Sequence, residues 1–249
     1  MLEVVQIVVK ADLEAAGLSE RKRVMDRSSE IDFEEYLAAG EAKAKLAELY
    51  TSRHKFCFTH SADFDGIFSG EIVRRFFDGK VKIIPINYAD DLAKDVLKKW
   101  DFTGCDVIIC DFCFSNEIME ELVKTAHSVT WLDHHVSAIE RMSKLDCYIK
   151  IHGIHTTKHS GAYNTWCWFY NNMKLATAAD FELVPEIIVD VSKYDTWTFK
   201  KSEQQRMYAL QLGMKALGLT FGSDLFDILL YEVKNDSHIT YDMYQNLLN

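Results

Sequence analysis

Proline is nearly missing, with two residues in 249, no stretch is low in complexity, and no internal repeat is visible. That sets aside linker-rich and solenoid architectures. Long apolar runs are also lacking. None approaches the ~20 residues a helix needs to cross a bilayer, so no membrane partner is expected. The opening MLEVVQIVVKADLEAAG carries an acid at Glu3 and no basic lead, so it does not read as a signal peptide, and a cytoplasmic protein is expected. Basic charge is in deficit: 28 Lys and Arg against 38 Asp and Glu give a net charge of −10. Long nucleic acids are gripped through many cationic contacts to phosphate, so no long strand is expected as a partner. A small anionic substrate remains compatible, because bound metal ions add positive charge that a residue count omits. No P-loop, G-x-G-x-x-G or G-x-S-x-G occurs, which leaves no sequence support for a glycine-rich phosphate cradle or a serine nucleophile.

What is present is ordinary in bulk: 48% apolar and 27% charged residues, enough for a substantial core. Five of the six cysteines (Cys57, Cys105, Cys110, Cys113, Cys147, Cys167) lie in or beside apolar runs, as small buried thiols of a reducing compartment do. Cys110 and Cys113 form a C-x-x-C, but positions three apart on one strand face opposite sides and cannot share a metal.

Residues 1–52 read as an N-terminal helical extension, with Asp32 and Glu35 resembling a cap and an acidic first turn. From Lys55, four runs rich in β-branched and aromatic residues recur: Lys55 to His60, Val81 to Ile86, Asp106 to Asp111 and Val129 to Asp133. Each gap can hold a helix. After Asp111, Ser115 can cap one that aligns Met119, Leu122, Val123 and Ala126. A fifth strand is read at Cys147 to Ile151. The pattern predicts an α/β fold: a parallel sheet of about five strands, helices on both faces, over residues 53–200. Beyond Ser160 the chain reads as helical at Ala162 to Asn172, Ala178 to Ser192, Leu225 to Val233 and Tyr241 to Leu248, with 201–249 as a C-terminal helical segment.

Three predicted strands run into metal-binding residue types: His60 with Asp63 and Asp65, then Asp111, then Asp133, His134 and His135. Carboxyl ends of parallel strands share one edge, where ligands of open α/β sheets bind, so these side chains should converge. Clustered carboxylates repel one another unless cations lie between them. An oxygen-rich set with a few imidazoles suits manganese, or magnesium, better than a thiolate zinc site. Two such ions roughly 3.5–4 Å apart suit in-line attack on phosphorus, activating a bridging water with no protein nucleophile.

HSADFDG at His60 to Gly66, Asp111 in VIICDF, LDHH at Leu132 to His135 and KYDTW at Lys193 to Trp197 resemble the ordered motifs of the DHH phosphoesterase superfamily. That group includes RecJ-type exonucleases, nanoRNA and cyclic-dinucleotide phosphodiesterases, and family II pyrophosphatases. The resemblance implies that His60 and Asp63 hold one metal, Asp65, His134 and Asp195 the other, and Asp111 both. It further implies that Asp133 orients the imidazoles, that His135 contacts phosphate or transfers a proton, and that Gly66 lets the next helix start close by. The chain departs from many members in lacking a glycine-rich G-G-G-H stretch, so substrate identity does not carry over. The expected activity is a manganese-dependent phosphodiesterase on short oligonucleotides or linear or cyclic dinucleotides. The alternatives are a pyrophosphatase or nucleotide phosphatase, and a non-catalytic nucleotide sensor.

Several residues stand beside this set. Asp190 competes with Asp195, although a helix-surface role explains it. In HGIHTTKHSG, the cluster of His152, His155 and His159 lacks a carboxylate or cysteine and reads as a polar loop. Lys158, His159, Ser160 and Gly161 are the substrate-binding candidates there, the helix after Ser160 offering N-terminal amides to a phosphate. Trp166, Trp168, Tyr194 and Trp197 are aromatic enough to stack on a base, with packing as the commoner use.

Overall fold

The computed structural model describes residues 53–172 and 184–230. The N-terminal extension (1–52) and the helix expected at Tyr241 to Leu248 lie outside these residues, as do the start of the Ala178 helix and the end of the Leu225 helix.

Five strands form one all-parallel sheet: β1 (Lys55–His60), β2 (Lys82–Ile86), β3 (Asp106–Cys110), β4 (Ser128–Asp133) and β5 (His152–His155), in the order β2-β1-β3-β4-β5. The first four fall where the β-branched runs place them. The fifth is a correction. Residues Asp146–Lys150 form a 3₁₀ turn, and pairing with β4 begins only at His152. The reason is visible at Gly153, whose φ is +138° and whose Cβ, if present, would lie 1.7 Å from the Trp131 carbonyl oxygen. Only glycine fits there, and it fixes the register beyond the apolar CYIKI run.

Alternation along the strands separates two faces. Phe58, Ile84, Ile86, Val107, Ile109, Val129 and Trp131 form one core. It is covered by Val96 of α2 (Asp91–Lys99), Ile118, Met119 and Leu122 of α3 (Asn116–Thr125), and Ala138 and Met142 of α4 (Val136–Met142). Val123 and Ala126 pack at its margin as the predicted stripe requires, although the Ser115 side chain makes no capping bond. The opposite face carries small buried residues, Cys57, Thr59 and Cys110. Against it lies α1 (Phe64–Phe76), close enough that a Cβ on Gly70 would lie 2.8 Å from Thr59 Cγ2. The buried thiols therefore act as space-saving apolar groups.

Behind α1 is a second apolar cluster. Phe68 and Ile72 meet Ala162 and Trp166 of α5 (Gly161–Trp166), Ile188 of α6 (Glu186–Asp195), Leu210 and Met214 of α7 (Gln204–Ala216), and Phe226 of α8 (Leu225–Leu229). Helix α5 continues as a π-helical turn, Cys167–Asn172. Helix α7 lies in the segment read as helical from 201 but is given no bounds of its own there, because it buries only Met207, Leu210 and Met214, a thin stripe in a polar sequence. Among the described residues no helix is long and apolar enough to cross a membrane.

The chain adds β2 on one side of β1 and β3 on the other. This reversal opens a crevice at the carboxyl ends of β1 and β3.

Candidate metal centre

Each sheet strand beside that crevice delivers side chains at its carboxyl end. His60 closes β1, Asp111 follows β3, and His134 and His135 follow β4. Asp63 caps α1, its Oδ1 accepting from the Gly66 amide at 3.0 Å, and Asp65 sits in the first turn. Gly66 makes this entry feasible: a Cβ there would lie 2.1 Å from the His60 carbonyl oxygen. Thr59 Oγ1 donates to the Gly66 carbonyl, tying helix to strand.

Asp111 adopts a left-handed backbone with φ +52°. Such a conformation costs an L-residue about 1–2 kcal/mol, and Asp tolerates it better than most. Its amide donates to the Leu132 carbonyl at 2.8 Å, and the next carbonyl, of Phe112, accepts from Trp131 Nε1 at 2.9 Å. Gly161 abuts it, since a Cβ at 161 would lie 2.6 Å from Asp111 Cβ.

The predicted ligands gather. His60 Nδ1 lies 3.0 Å from Asp63 Oδ2 and 3.7 Å from Asp111 Oδ2. His134 Nε2 lies 3.0 Å from Asp195 Oδ2, 3.2 Å from Asp111 Oδ1 and 3.7 Å from Asp65 Oδ2. Three groups have donor atoms within 4.8 Å of one another: His60, Asp63 and Asp111; Asp65, His134 and Asp195; and Asp111, His134 and His135. Asp111 thus belongs to a group at each end of the cluster. His60 Nδ1 and Asp111 Oδ1 are buried and near opposite partners, yet neither completes a hydrogen bond. Atoms drawn together but not aligned on each other fit a shared cation between them, and the oxygen-rich, imidazole-containing set fits a pair of manganese or magnesium ions.

Electrostatics agree with an anionic pocket. The Asp111 and then the Asp63 carboxylates outweigh burial and hold His60 up to about 10. Burial works to lower His134, but attraction to Asp111 and Asp195 reverses this and lifts it to about 11. Burial, then the charges of Asp111 and Asp195, push Asp65 well above the usual carboxylate range. For Asp63, burial is overcome by His60 and the Gly66 amide, and its pKa falls.

Asp133 is fully buried. Its Oδ1 accepts from the His134 amide at 2.7 Å and the His135 amide at 3.2 Å, and lies 2.7 Å from His135 Nδ1. It fixes the turn that carries both histidines and orients the second ring directly. That contact is also the main reason His135 is raised above the ordinary imidazole range.

The HGIHTTKHSG loop is arranged differently from its reading above. The Gly161 amide donates to Asp65 Oδ2 at 2.7 Å and the Ala162 amide to Asp65 Oδ1 at 2.9 Å. The start of α5 therefore holds a protein carboxylate, and Ser160 and Gly161 serve the cluster by positioning Asp65 instead of receiving a phosphate there. Ser160 is buried, and its amide donates to Ser192 Oγ at 3.0 Å. Lys158 is exposed, and His159 stacks on Tyr163 at 4.0 Å. Among the described residues, none of His152, His155 and His159 joins a group able to hold an ion. Asp190 is a further correction: it is buried, not on a helix surface, and pairs with Arg206 of α7 at 2.6 Å. Trp166 and Trp168 are buried in packing. Arg141 Nη2 donates to Cys113 Sγ at 3.3 Å, and none of the six cysteines is in a disulfide.

Tyr88 was not singled out in the sequence. It follows β2 on the same sheet edge, and its ring lies 5.6 Å from His60. The edge rule that finds the ligands also points to Asn87 and Tyr88, but metal-binding residue type, the other filter, passes over them.

No family model matches the chain. An uncharacterized protein of Acanthamoeba polyphaga mimivirus is 26% identical over 122 residues, which is 49% of this chain and 26% of that protein. The crystal structure of an uncharacterized protein from Helicobacter pylori superposes with a TM-score of 0.50 at 12% identity, covering 78% of this chain and 62% of that one. The latter likeness concerns the fold alone, and the chain spans about a quarter of the mimivirus protein's length.

Proposed function

We propose that this chain is a two-metal phosphohydrolase of the DHH type, acting as a phosphodiesterase on short oligonucleotides or small linear or cyclic dinucleotides, with manganese preferred. The observation that carries the reading is the sharing of Asp111 between ion-holding groups built on His60 and on His134. A pair of divalent ions supplies Lewis acidity toward a phosphoryl group and a more acidic water. His60 and Asp63 would hold one ion, Asp65, His134 and Asp195 the other, and Asp111 both. The net charge of −10 disfavours long strands, and six cysteines outside any disulfide suit a reducing, cytoplasmic setting.

The remaining groups have work of their own. Asp65 is ready-oriented, since its two oxygens are fixed by α5 amides. His135 has Nδ1 on Asp133, which leaves Nε2 as the nitrogen for substrate. Asp133 raises its pKa above the ordinary imidazole range, which favours the form with a proton on Nε2, suited to a phosphate oxygen or to a leaving alkoxide.

The test incubates the protein and manganese separately with pApA, a cyclic dinucleotide and pyrophosphate, and resolves products by chromatography. Turnover of a dinucleotide, abolished in Asp111→Asn, is expected. Turnover of pyrophosphate alone replaces the diesterase with a pyrophosphatase. Tight nucleotide binding with no turnover in any divalent ion overturns the enzyme in favour of a sensor.

A further inference from the structure

The exposed aromatics are not scattered. Among the described residues, three aromatic rings count as exposed: Tyr88 at 48%, Trp197 at 65% and Tyr208 at 39%. Tyr208 packs edge-on against Tyr194. The other two adjoin ligand candidates of different groups, Tyr88 in space and Trp197 along the chain. Tyr88 stands beside His60, of the group completed by Asp63 and Asp111. Trp197 follows by two residues Asp195, of the group completed by Asp65 and His134.

Both rings are held, not merely exposed. Tyr88 stacks on Phe112 at 4.4 Å with an interplanar angle of 29°, and its hydroxyl accepts from the Cys113 amide at 3.2 Å. Phe112 directly follows Asp111, so the stack is built on the shared ligand's own turn. Trp197 sits in a left-handed backbone with φ +53° just after the end of α6. A side chain with a Cβ is strained there by about 1–2 kcal/mol, and the strain falls on the residue that presents the ring. Tyr194 at 5.8 Å and Phe199 at 5.5 Å hold the indole on one side while most of it stays open. A fixed aromatic surface beside a phosphate-directed site is what a nucleobase stacks on, at about 1–3 kcal/mol per base.

We infer that Tyr88 and Trp197 are positioning residues, one at each end of the cluster, that stack the two bases of a linear dinucleotide and so seat its single internal phosphodiester between them. The inference rests on the phosphodiesterase reading and narrows its substrate. A phosphate flanked by two bases engages both surfaces, a terminal phosphate engages one, and pyrophosphate engages neither.

Two measurements test it. In the first, the manganese-loaded protein cleaves pApA and a counterpart in which both ribose rings carry hydrogen in place of adenine. Wild type is expected to favour pApA in kcat/KM, and Tyr88→Leu or Trp197→Asn is expected to shrink that preference about tenfold, with the change in KM. Tyr88→Phe keeps the stack and should retain the preference. Asparagine accepts the left-handed backbone at 197, so misfolding does not explain its loss. In the second, pApA is titrated in calcium and the tryptophan fluorescence read. Quenching is expected in wild type, is lost in Trp197→Asn, and is not produced by pyrophosphate.

If wild type cleaves neither diester yet pApA quenches Trp197, the hydrolase reading fails while the stacking surfaces stand. An unchanged preference in both variants, or no quenching by pApA, overturns the surfaces even if cleavage is brisk.

Discussion

Gly161→Ala is the sharpest probe of how the centre is assembled. The added methyl would lie 2.6 Å from Asp111 Cβ, 3.0 Å from Asp111 Cα and 3.0 Å from Asp111 Cγ. All three belong to a residue whose Cα and Cβ are pinned by a left-handed φ and by the bond from its amide to Leu132, so it cannot swing aside as the far end of a flexible side chain would. Either Asp111 or the start of α5 must move by several tenths of an ångström. Overpacking of this kind costs about 1–3 kcal/mol. Moving α5 also lengthens the Gly161–Asp65 bond of 2.7 Å, and a hydrogen bond to a charged group is worth about 1.5–3 kcal/mol. A loss of about 3 kcal/mol in urea unfolding is expected. Manganese affinity by calorimetry should fall ~10–100-fold, as when a ligand's support is disturbed. Gly79→Ala is the control: its φ is +73° and nothing lies within 4 Å of the added carbon. It should cost only about 1 kcal/mol of backbone strain and leave manganese affinity alone. A Gly161→Ala protein with the wild-type urea midpoint and wild-type manganese affinity would refute the reasoning.

Metal uptake should expel protons. With His60 raised to about 10 and His134 to about 11 in the ion-free protein, cation binding near pH 8 is expected to release about two protons, read as a buffer-dependent calorimetric enthalpy. The same raised values mean that the two imidazoles stabilise the ion-free fold fully below pH 6.5, and that this contribution fades as pH rises toward 10–11, seen as a falling Tm in chelator. His155 has the opposite sign: burial lowers it to about 4, so its neutral form stabilises the fold above pH 6.5. That part is lost as pH drops toward 4, and His155→Asn should flatten the acid limb of a urea-midpoint profile. Arg206→Met leaves Asp190, 2% exposed, without its guanidinium. It should destabilise by ~3–5 kcal/mol, with Asp190→Asn in the same chain recovering much of the loss in a denaturant titration.

The sheet was legible because its inner strands are continuous apolar runs, and the gathering of acidic and imidazole side chains at its edge because His60, Asp111 and His134 all end such runs. What escaped has physical causes. The place of β5 depends on a glycine approaching the Trp131 carbonyl, a tertiary contact that composition does not encode. Helix α7 has too thin an apolar stripe to stand out from its polar sequence. The α5 amides looked free for phosphate because their partner, Asp65, is far away in the chain. Asp190 and Asp195 lie on one helix, and only the presence of Arg206 on a packed neighbour separates a core ion pair from a member of the cluster.

Asp65 couples the two layers of the molecule through one carboxylate. The strand ends that carry the cluster are all made by residue 135, but the amides that fix Asp65 and the Asp195 that completes its group come later in the chain. An unfinished chain would therefore display a bare anionic edge with little hold on any ion. On the proposed two-metal reading, ion capture would report that the C-terminal helices have docked, and removing the ions would loosen that docking first, well before the sheet itself gives way.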